Sequence, residues 1–365
     1  MARFRGRAAA LLALAALVAG VLVGAAPAHA CACGGYVGPP GASVAVQSES
    51  AALALVDGRE TIVLSMGAVT EADDVALLIP TPAPAEVARG GAGVFVELAG
   101  VTAPTPRVEY DWWGTGGDGT SAGAAPQATG APVTVLTQVQ LGELEVTTLA
   151  ASDADALAGW LAAHGYVMRD GLAAAVRPYV AEGWSYAAVR LRPEAAATVS
   201  GEMQPLVLTF DADELVYPMR LSAAASTAQH VRTYVFGAHR VDRTDAQAHT
   251  AVLHFAAPVA PSDFADPQLA RFAEAGFLTA HDQTFRDPVA QITADFAFAN
   301  ADQDAVFRPE YRVTQAVTLL GLPAGPVLVA LGVLAAAGAA MAVAARRRNQ
   351  AEAGDIPGVR DAGRQ

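Results

Sequence analysis

One segment of the chain resembles a sequence motif that carries a nucleophilic serine. Residues 183–187, with the sequence GWSYA, are one residue away from the G-x-S-x-G nucleophile elbow. That elbow requires a strand, a sharp turn and then a helix, so that helix amides lie behind an exposed serine. Here the pattern indicates a helix, a glycine and then a strand. We therefore interpret Ser185 as a residue at the start of a strand.

Three histidines, His239, His249 and His254, lie close together in the sequence. The chain contains no H-E-x-x-H motif, and spacings of ten and five residues match no pair of ligands on one helical face. We interpret these histidines as surface or strand-end residues rather than metal ligands.

Two groups of carboxylates could in principle collect Ca²⁺. Asp211, Asp213 and Glu214 follow an apolar strand, and Asp302 and Asp304 form a second group. Both lack the central glycine and terminal glutamate of a calcium-binding EF-hand loop. Carboxylates that stabilise turns are the simpler interpretation, and no metal or other cofactor is predicted.

Two pairs of nearby side chains have both a binding and a structural interpretation. Glu143 and Glu145 share one face of a predicted strand, either as paired acids or as a solvated face. Trp112 and Trp113 precede a flexible segment. They could form an exposed platform for carbohydrate or lipid headgroups, or simply pack at the end of a strand.

The elements that must position these residues begin with a hairpin. Apolar runs at 44–46, 51–56 and 61–66 surround Asp57-Gly58, a dipeptide typical of a tight turn between two strands. A continuous apolar run at 75–79, followed by Pro80, predicts a buried strand. A helix is expected near 85–98, and the Gly-rich residues 114–132 are expected to form a flexible loop.

The remaining chain alternates two helices with many strands. A helix starts at Ser152 as N-cap and stops at Gly165, and a second one spans 172–182. Further strands are predicted at 133–139, 143–149, 184–191, 206–210, 216–221, 231–236 and 251–255. One short helix is predicted at 267–275. The predicted fold class is α+β, with a mostly antiparallel sheet and a few packing helices.

Charge excludes several functions. The chain has 36 acidic and 23 basic side chains, for a net charge of −13, and every basic side chain is an arginine. The absence of lysine excludes P-loop, Schiff-base and Ser-Lys chemistry. An acidic surface also argues against nucleic acid as a partner.

The N-terminal segment, residues 1–30, has the features of a signal peptide. Three arginines precede an apolar run from Ala8 to Val23 that is too short to span a bilayer. Ala28 and Ala30 are the small residues that signal peptidase requires, so that the mature chain would begin at Cys31. Lipidation of Cys31 is the alternative, although Ala28 is a poor match to that signal.

Near the C-terminus, residues 323–345 predict a transmembrane helix. No charge occurs from Val313 to Ala345, and Arg346-Arg347-Arg348 then forms a stop-transfer flank. The positive-inside rule predicts a cytoplasmic tail at 346–365 and a domain at 31–315 outside the cell membrane. Gly332 and Ala336 have the spacing of a helix-packing face, although alanine-rich segments produce such spacings by chance.

The two cysteines, Cys31 and Cys33, are separated by one residue. A disulfide between them would close a very small ring, so intermolecular pairing or free thiols are equally open.

Several segments resemble the bacterial DUF2330 family, a domain of unknown function in exported proteins. The resemblance is carried by Cys33-Gly34-Gly35, by residues 160–166 and 178–184, and by segments at 190–193, 204–210 and 237–240. It covers roughly residues 31–260 and implies an extracytoplasmic location and a mixed fold. It implies no catalytic residues.

These observations favour a membrane-anchored extracytoplasmic domain that binds or organises a partner at the cell envelope, either a protein or a glycan, without catalysis. One alternative is an envelope hydrolase that uses carboxylates and a histidine, with or without a cation. It predicts that Asp211, Asp213 and either His239 or His254 lie within a few ångström of each other. The other is an accessory subunit whose transmembrane helix packs against a partner through Gly332 and Ala336.

Overall fold

The computed structural model describes residues 35–42, 44–70, 74–115, 138–139, 145–150, 153–191 and 199–353. The predicted signal peptide, Cys31, Cys33 and most of the predicted loop 114–132 lie outside these residues, as does the end of the predicted tail. The chain divides into two units. The large unit comprises residues 1–103 and 130–309, and the small unit comprises residues 104–129 and 310–365.

The strands of the described residues are, in chain order, β1 (Gly35–Val37), β2 (Val44–Val56), β3 (Arg59–Thr70), β4 (Val75–Thr81), β5 (Glu86–Arg89), β6 (Thr105–Asp111), β7 (Gln138–Val139), β8 (Glu145–Ala150), β9 (Ser185–Leu191), β10 (Val199–Met203), β11 (Leu206–Asp211), β12 (Val216–Tyr217), β13 (Gln229–Gly237), β14 (Val241–Arg243), β15 (Val252–Pro258), β16 (Phe277–Phe285), β17 (Phe296–Asn300), β18 (Glu310–Ala316), β19 (Thr318–Leu319) and β20 (Leu322–Pro323).

The helices in the same part of the chain are α1 (Val94–Val101), α2 (Ala154–Ala163), α3 (Asp170–Ala181), α4 (Pro267–Ala273), α5 (Pro288–Gln291) and α6 (Ala324–Ala353). Short 3₁₀ segments lie at Arg220–Ala224, Ala248–Thr250 and Pro261–Asp263.

Two sheets form the centre of the large unit. The first has four antiparallel strands in the order β1-β4-β9-β8. The second has nine strands, seven of them in the order β15-β16-β13-β2-β3-β10-β7, while β11 pairs with both β3 and β5. Within it, only the β13/β2 and β10/β7 pairs are parallel. The predicted α+β class with mostly antiparallel strands is therefore confirmed.

The two sheets pack face to face, with a helical layer on each outer side. Alternate residues of one strand serve different layers: Leu77 lies in the core between the sheets, whereas Leu78 packs towards α2 and α3. On the larger sheet, Leu53 faces that same core and Ala52 faces α1 and α4. Because both faces of β4 are covered, all seven of its residues are buried, which explains its continuous apolar run.

The hairpin between β2 and β3 forms at the dipeptide that predicted it. Asp57 and Gly58 both have positive φ, 52° and 74°, and connect strands that pair from Val56 and Arg59 onwards. This two-residue turn matches the right-handed twist of the strands, and glycine adopts its conformation at no steric cost.

Some predicted boundaries were wrong. The helix expected at 85–98 begins only at Val94, because Glu86–Arg89 pairs with β11 as a strand. The strand expected at 216–221 ends at Tyr217 and is followed by a 3₁₀ turn. The predicted N-cap Ser152 lies outside the described residues, and the carboxylate of Asp153 caps α2 by accepting the Ala156 N–H at 2.6 Å.

The small unit joins two distant pieces of chain. β6 and β18 form a parallel ribbon with seven paired residues each. β19 and β20 form a tight hairpin that leads directly into α6. Residues Ala324–Gln350 of this helix are long and apolar enough to cross a membrane, and none of the most apolar stretch is buried in the protein.

Candidate functional site

Ser185 does not lie in a nucleophile elbow. It is the first residue of β9 and is buried, and α3 and Gly183 precede it rather than follow it. The left-handed conformation of Gly183, with φ of 76°, ends α3 before the strand begins. The order at Ser185 is therefore helix, glycine and strand, the reverse of the order that a nucleophile elbow requires.

The three predicted histidines have separate environments. The Nδ1 of His239 lies 3.0 Å from the Asp304 carboxylate, and its hydrogen bond lowers the pKa of Asp304. His249 is exposed, and its Nδ1 lies 3.2 Å from the carbonyl oxygen of Ala246. His254 lies 3.3 Å from Asp282.

Of the acidic residues considered as calcium ligands or catalytic residues, Asp304 pairs with His239, whereas Asp211 pairs with Arg59 instead of a histidine. Asp211 is exposed and lies 3.7 Å from the guanidinium of Arg59, and Asp213 and Glu214 are solvent-accessible. Asp302 is exposed, and Asp304 is the partner of His239. Within the described ranges, no group of three or more His, Cys, Asp or Glu side chains is arranged to hold a metal ion. Glu143 lies outside these ranges.

A cluster that the sequence did not indicate lies at the edge of the nine-stranded sheet. His230, His254 and Arg232 meet at Asp282, whose two oxygens accept from Nε and Nη2 of Arg232 at 2.6 and 2.8 Å. Burial lowers the pKa of His230 and His254. Two histidines and one aspartate could bind a metal, but here the guanidinium already occupies the carboxylate. We interpret this cluster as a buried ion pair.

An aromatic surface lies beside the four-stranded sheet. Trp160 and His164 are four residues apart at the end of α2, so they share one face of the helix. Their rings stack with centroids 4.0 Å apart, and the His164 Nδ1 lies 2.8 Å from the carbonyl oxygen of Trp160. Gly165, with φ of 86°, ends the helix and directs Tyr166 back to the sheet.

Two acidic side chains, Asp74 and Glu145, meet at Arg190 in the same region. Strand pairing places Arg190 between Ala76 of β4 and Glu145 of β8. Its Nε donates to Asp74 at 2.9 Å and its Nη1 donates to Glu145 at 3.2 Å. The Tyr166 hydroxyl also donates to Asp74, at 2.8 Å. Hydrogen bonding to Asp74 raises the pKa of Arg190, so its charge is fixed.

The stack and the charged group enclose a shallow cleft of about 100 Å³. We call it the Trp160 cleft, and it is lined by Ala76, Glu145, Thr147, Trp160, His164, Tyr166, Ala188 and Arg190. The small side chains of Ala76 and Ala188 leave room on the surface of the sheet. The cleft can accept one flat group, with an aromatic ring on one side and hydrogen-bonding side chains on the other.

A second cavity has a volume of about 250 Å³, and some of its lining residues are close in sequence to those of the Trp160 cleft. Its lining comes from the segment 36–42 together with Val167 and Arg169. The Val167 N–H donates to the Gly38 carbonyl at 2.9 Å, and Arg169 donates to the carbonyl of Ala42. Among the described residues that line this cavity, Arg169 is the one charged side chain. The cavity therefore has fewer charged side chains for binding a ligand than the Trp160 cleft.

The predicted tryptophan pair is exposed at the end of a strand. Trp112 and Trp113 follow β6 directly, and both rings are about half accessible to solvent. Both belong to the small unit, next to the beginning of α6. The other predicted positions in α6, Gly332 and Ala336, are exposed, and Gly332 has open space where a side chain would lie.

The chain belongs to the DUF2330 family, described as an uncharacterized protein conserved in bacteria, whose model matches residues 27–299. The match covers most of the large unit and includes every residue of the Trp160 cleft. No curated protein and no solved structure matches the chain.

Proposed function

We propose that this protein is a single-pass membrane protein that holds a binding domain on the outer side of the cell membrane. The observation that carries the proposal is α6, whose most apolar stretch is not buried by any other part of the described chain. The 22 residues from Ala324 to Ala345 extend about 33 Å, enough for a hydrocarbon core of about 30 Å. Arg346, Arg347 and Arg348 follow at once and favour a cytoplasmic end.

The orientation has a direct test. A reporter that is active only in the cytoplasm should be active when fused after Arg348, and protease added to spheroplasts should digest the large unit. Mass spectrometry of the purified protein should give Cys31 as the first residue, which tests cleavage after Ala30. An intact large unit in protease-treated spheroplasts contradicts the proposed orientation.

The large unit would act through the Trp160 cleft, and its chemistry favours a sugar unit of an envelope glycan. The stacked rings of Trp160 and His164 offer an apolar face to the C–H side of a sugar ring. Glu145, Thr147 and Arg190 lie in the same lining and can exchange hydrogen bonds with hydroxyl groups. A volume of about 100 Å³ accommodates part of a polymer at the surface rather than an enclosed small molecule.

Binding without catalysis fits the ion pairs of the cleft. A glycosidase needs one carboxylic acid that holds a proton and a second carboxylate that remains free. Asp74 accepts hydrogen bonds from Arg190 and from Tyr166. Glu145 lies against the same guanidinium. Both acids are thereby held in place as parts of a binding surface.

Cosedimentation of the full-length protein in detergent with purified cell-wall sacculi tests this binding. His164→Ala removes half of the stack and should weaken binding about three- to tenfold, since an aromatic pair contributes about 0.5–1.5 kcal/mol. His249→Ala is the matched control, because it removes an exposed histidine elsewhere in the large unit. Trp160→Phe should weaken binding less than His164→Ala.

Equal binding by the wild type and His164→Ala, with both folded by circular dichroism, would remove the Trp160 cleft from the proposal. Failure of the wild type to bind any sacculi would remove the glycan, while the topology experiments would still decide the anchor.

A further inference from the structure

The start of α6 is surrounded by large apolar side chains from two separate parts of the small unit. Trp112 and Trp113 come from the end of β6, and Leu319, Leu320 and Leu322 come from the β19/β20 hairpin. All five are exposed. We call these five residues the collar.

The tryptophan pair is fixed to the first turn of α6 by backbone contacts. The N–H of Gly325 donates to the carbonyl of Trp112 at 2.7 Å. A side chain at Gly325 would come within 2.7 Å of that same oxygen and 3.1 Å of the Trp113 ring, so the close approach requires glycine. The Asp111 carboxylate accepts the N–H groups of Trp113 and Gly114, both at 2.9 Å, and thereby holds the turn that presents the two rings.

The hairpin is equally well connected to the helix. The N–H of Ala324 donates to the Val317 carbonyl at 2.8 Å, and the N–H of Val317 donates to the carbonyl of Asp111 at 2.9 Å. These bonds join the strand β6, the hairpin and the helix start into one structure. The collar therefore cannot move far from the point where α6 begins.

The tip of the hairpin is unusual for a surface in contact with water. Leu320 has φ of 57° and Gly321 has φ of 79°, so the two residues form a turn with two positive φ values. Asparagine or aspartate normally occupies the first of these positions, and a leucine there is strained. The leucine is nevertheless 93% exposed among the residues that the structure describes. Its surroundings in the functional protein should be apolar.

We propose that the collar inserts into the boundary between lipid headgroups and acyl chains on the outer side of the membrane. This inference rests on the proposed anchoring by α6, and its occupant follows from continuity with that helix. From Ala324 to Arg346 the helix rises about 33 Å, close to the thickness of the hydrocarbon core. When the arginines lie at one boundary, the collar lies at the other.

The side chains of the collar suit that depth. Tryptophan is enriched at membrane interfaces because its ring combines an apolar body with an N–H donor. The leucines extend the same apolar surface around the first turn of the helix, and no charged residue occurs from Val313 to Ala345. The collar thus fixes the depth of α6, because hydrogen bonds connect the tryptophan turn and the hairpin to the first turn of the helix.

Quenching of tryptophan fluorescence by brominated lipids tests the collar in the full-length protein reconstituted into liposomes. The Trp160→Phe/Trp184→Phe variant retains only Trp112 and Trp113. Lipids brominated near the headgroup should quench its emission more than lipids brominated near the chain end. The Trp112→Phe/Trp113→Phe variant is the matched control and measures the contribution of the other two tryptophans to wild-type quenching.

Leu320→Asn provides a second readout that does not depend on replacing tryptophans. Asparagine adopts positive φ readily, so the turn is retained while the apolar tip is lost. We expect the shallow quenching of Trp112 and Trp113 to decrease about twofold as the collar withdraws towards water. Quenching that is unchanged in this variant would count against a role for the hairpin tip.

The outcomes separate this inference from the anchor on which it rests. If alkaline carbonate extracts the wild-type protein from the liposomes, the protein has no spanning helix. Both the anchor and the collar are then contradicted. Wild-type protein that resists extraction while Trp112 and Trp113 show no quenching, or quenching mainly by deep bromines, overturns the collar and leaves the anchor intact.

Discussion

The large unit buries its apolar side chains and one of its ion pairs, whereas the small unit exposes large apolar side chains and the ion pairs described in it. In the large unit, side chains such as Leu278 and Phe255 are buried between layers, and the ion pair of Arg243 and Asp245 is buried with them, each side chain 2% exposed. In the small unit, Leu320 and Leu334 are exposed, and the ion pair of Arg107 with Glu310 lies on the surface.

This difference indicates that the two units fold against different surroundings. The large unit covers its apolar surface with its own helices, as a domain in water must. A contiguous apolar surface as large as that of α6 requires an external apolar partner. The exposed leucines are therefore a property of the environment for which the small unit is built rather than a defect of its packing.

The largest expected effect concerns buried charge. Arg243→Ala removes the guanidinium that donates to both oxygens of Asp245 at 2.5 and 2.8 Å and that lies 3.2 Å from the centre of the Phe296 ring. We expect a loss of about 3–5 kcal/mol, because an unpaired carboxylate remains buried. In detergent, the thermal midpoint of the large unit should fall by roughly 10 °C or more.

The matched control for that substitution is Arg107→Ala in the small unit. Its guanidinium lies 3.7 Å from Glu310, and both side chains are more than half exposed, at 67% and 53%. Such a surface pair contributes about 0–1 kcal/mol. Similar losses for the two variants would contradict the contrast between the units.

Buried and exposed leucines should differ by a similar margin. Leu278→Ala creates a cavity in the core formed by β16, α1 and α4, and we expect a loss of about 2–5 kcal/mol. Leu334→Ala changes an exposed position of α6 and should leave the thermal midpoint in detergent within about 1 °C. A marked loss at Leu334 would indicate that α6 packs against protein, for example in an oligomer.

His281 should make the stability of the large unit depend on pH. Burial, with the nearby charge of Arg243, lowers the pKa of His281 from 6.5 to about 4. The folded protein keeps this side chain neutral, whereas the unfolded chain takes up a proton below pH 6.5, so stability falls as the pH decreases from 6.5 to 4. We expect roughly 2 kcal/mol less at pH 5 than at pH 8. NMR titration checks the pKa, with the exposed His249 as reference.

Glu60 should produce the opposite dependence. Burial raises the pKa of Glu60 well above its ordinary value of 4.5, although it accepts the N–H of Val216 at 3.1 Å. The folded state then retains a proton that the unfolded chain releases, so stability falls as the pH rises above 4.5. Glu60→Gln should stabilise the protein more at pH 7 than at pH 5, as measured by the thermal midpoint at the two pH values. A constant difference between these pH values would contradict a protonated Glu60.

The parts of the fold that local sequence determines were predictable. Asp57-Gly58 predicted its hairpin because the turn conformation depends on those two residues alone. The helix expected at 85–98 was wrong in its first half because Glu86–Arg89 gains more from pairing with β11 than from local helix formation. Strand β16 was not predicted as a strand. Its pairing partners, β13 and β15, are separated from it in the sequence, so no local pattern indicates the pairing.

The Trp160 cleft could be predicted only in part. The family resemblance includes the segment from Trp160 to Tyr166, and the helical spacing of Trp160 and His164 explains the ring stack. Asp74, Glu145 and Arg190 are separated by up to 116 residues, and only the register of three strands brings them together. No local pattern in the sequence contains that register.

The parallel pairing of β2 with β13 has a consequence for synthesis. β2 ends at Val56, yet its neighbour β13 begins only at Gln229, so a nascent chain carries an unsatisfied strand edge while nearly half of its length is synthesised. Pairings between such distant segments form slowly, and open edges invite association with other chains. C-terminal truncations that end before Phe285 should accumulate as aggregates. The complete chain should depend on a chaperone that binds unfolded chains until β16 has been synthesised.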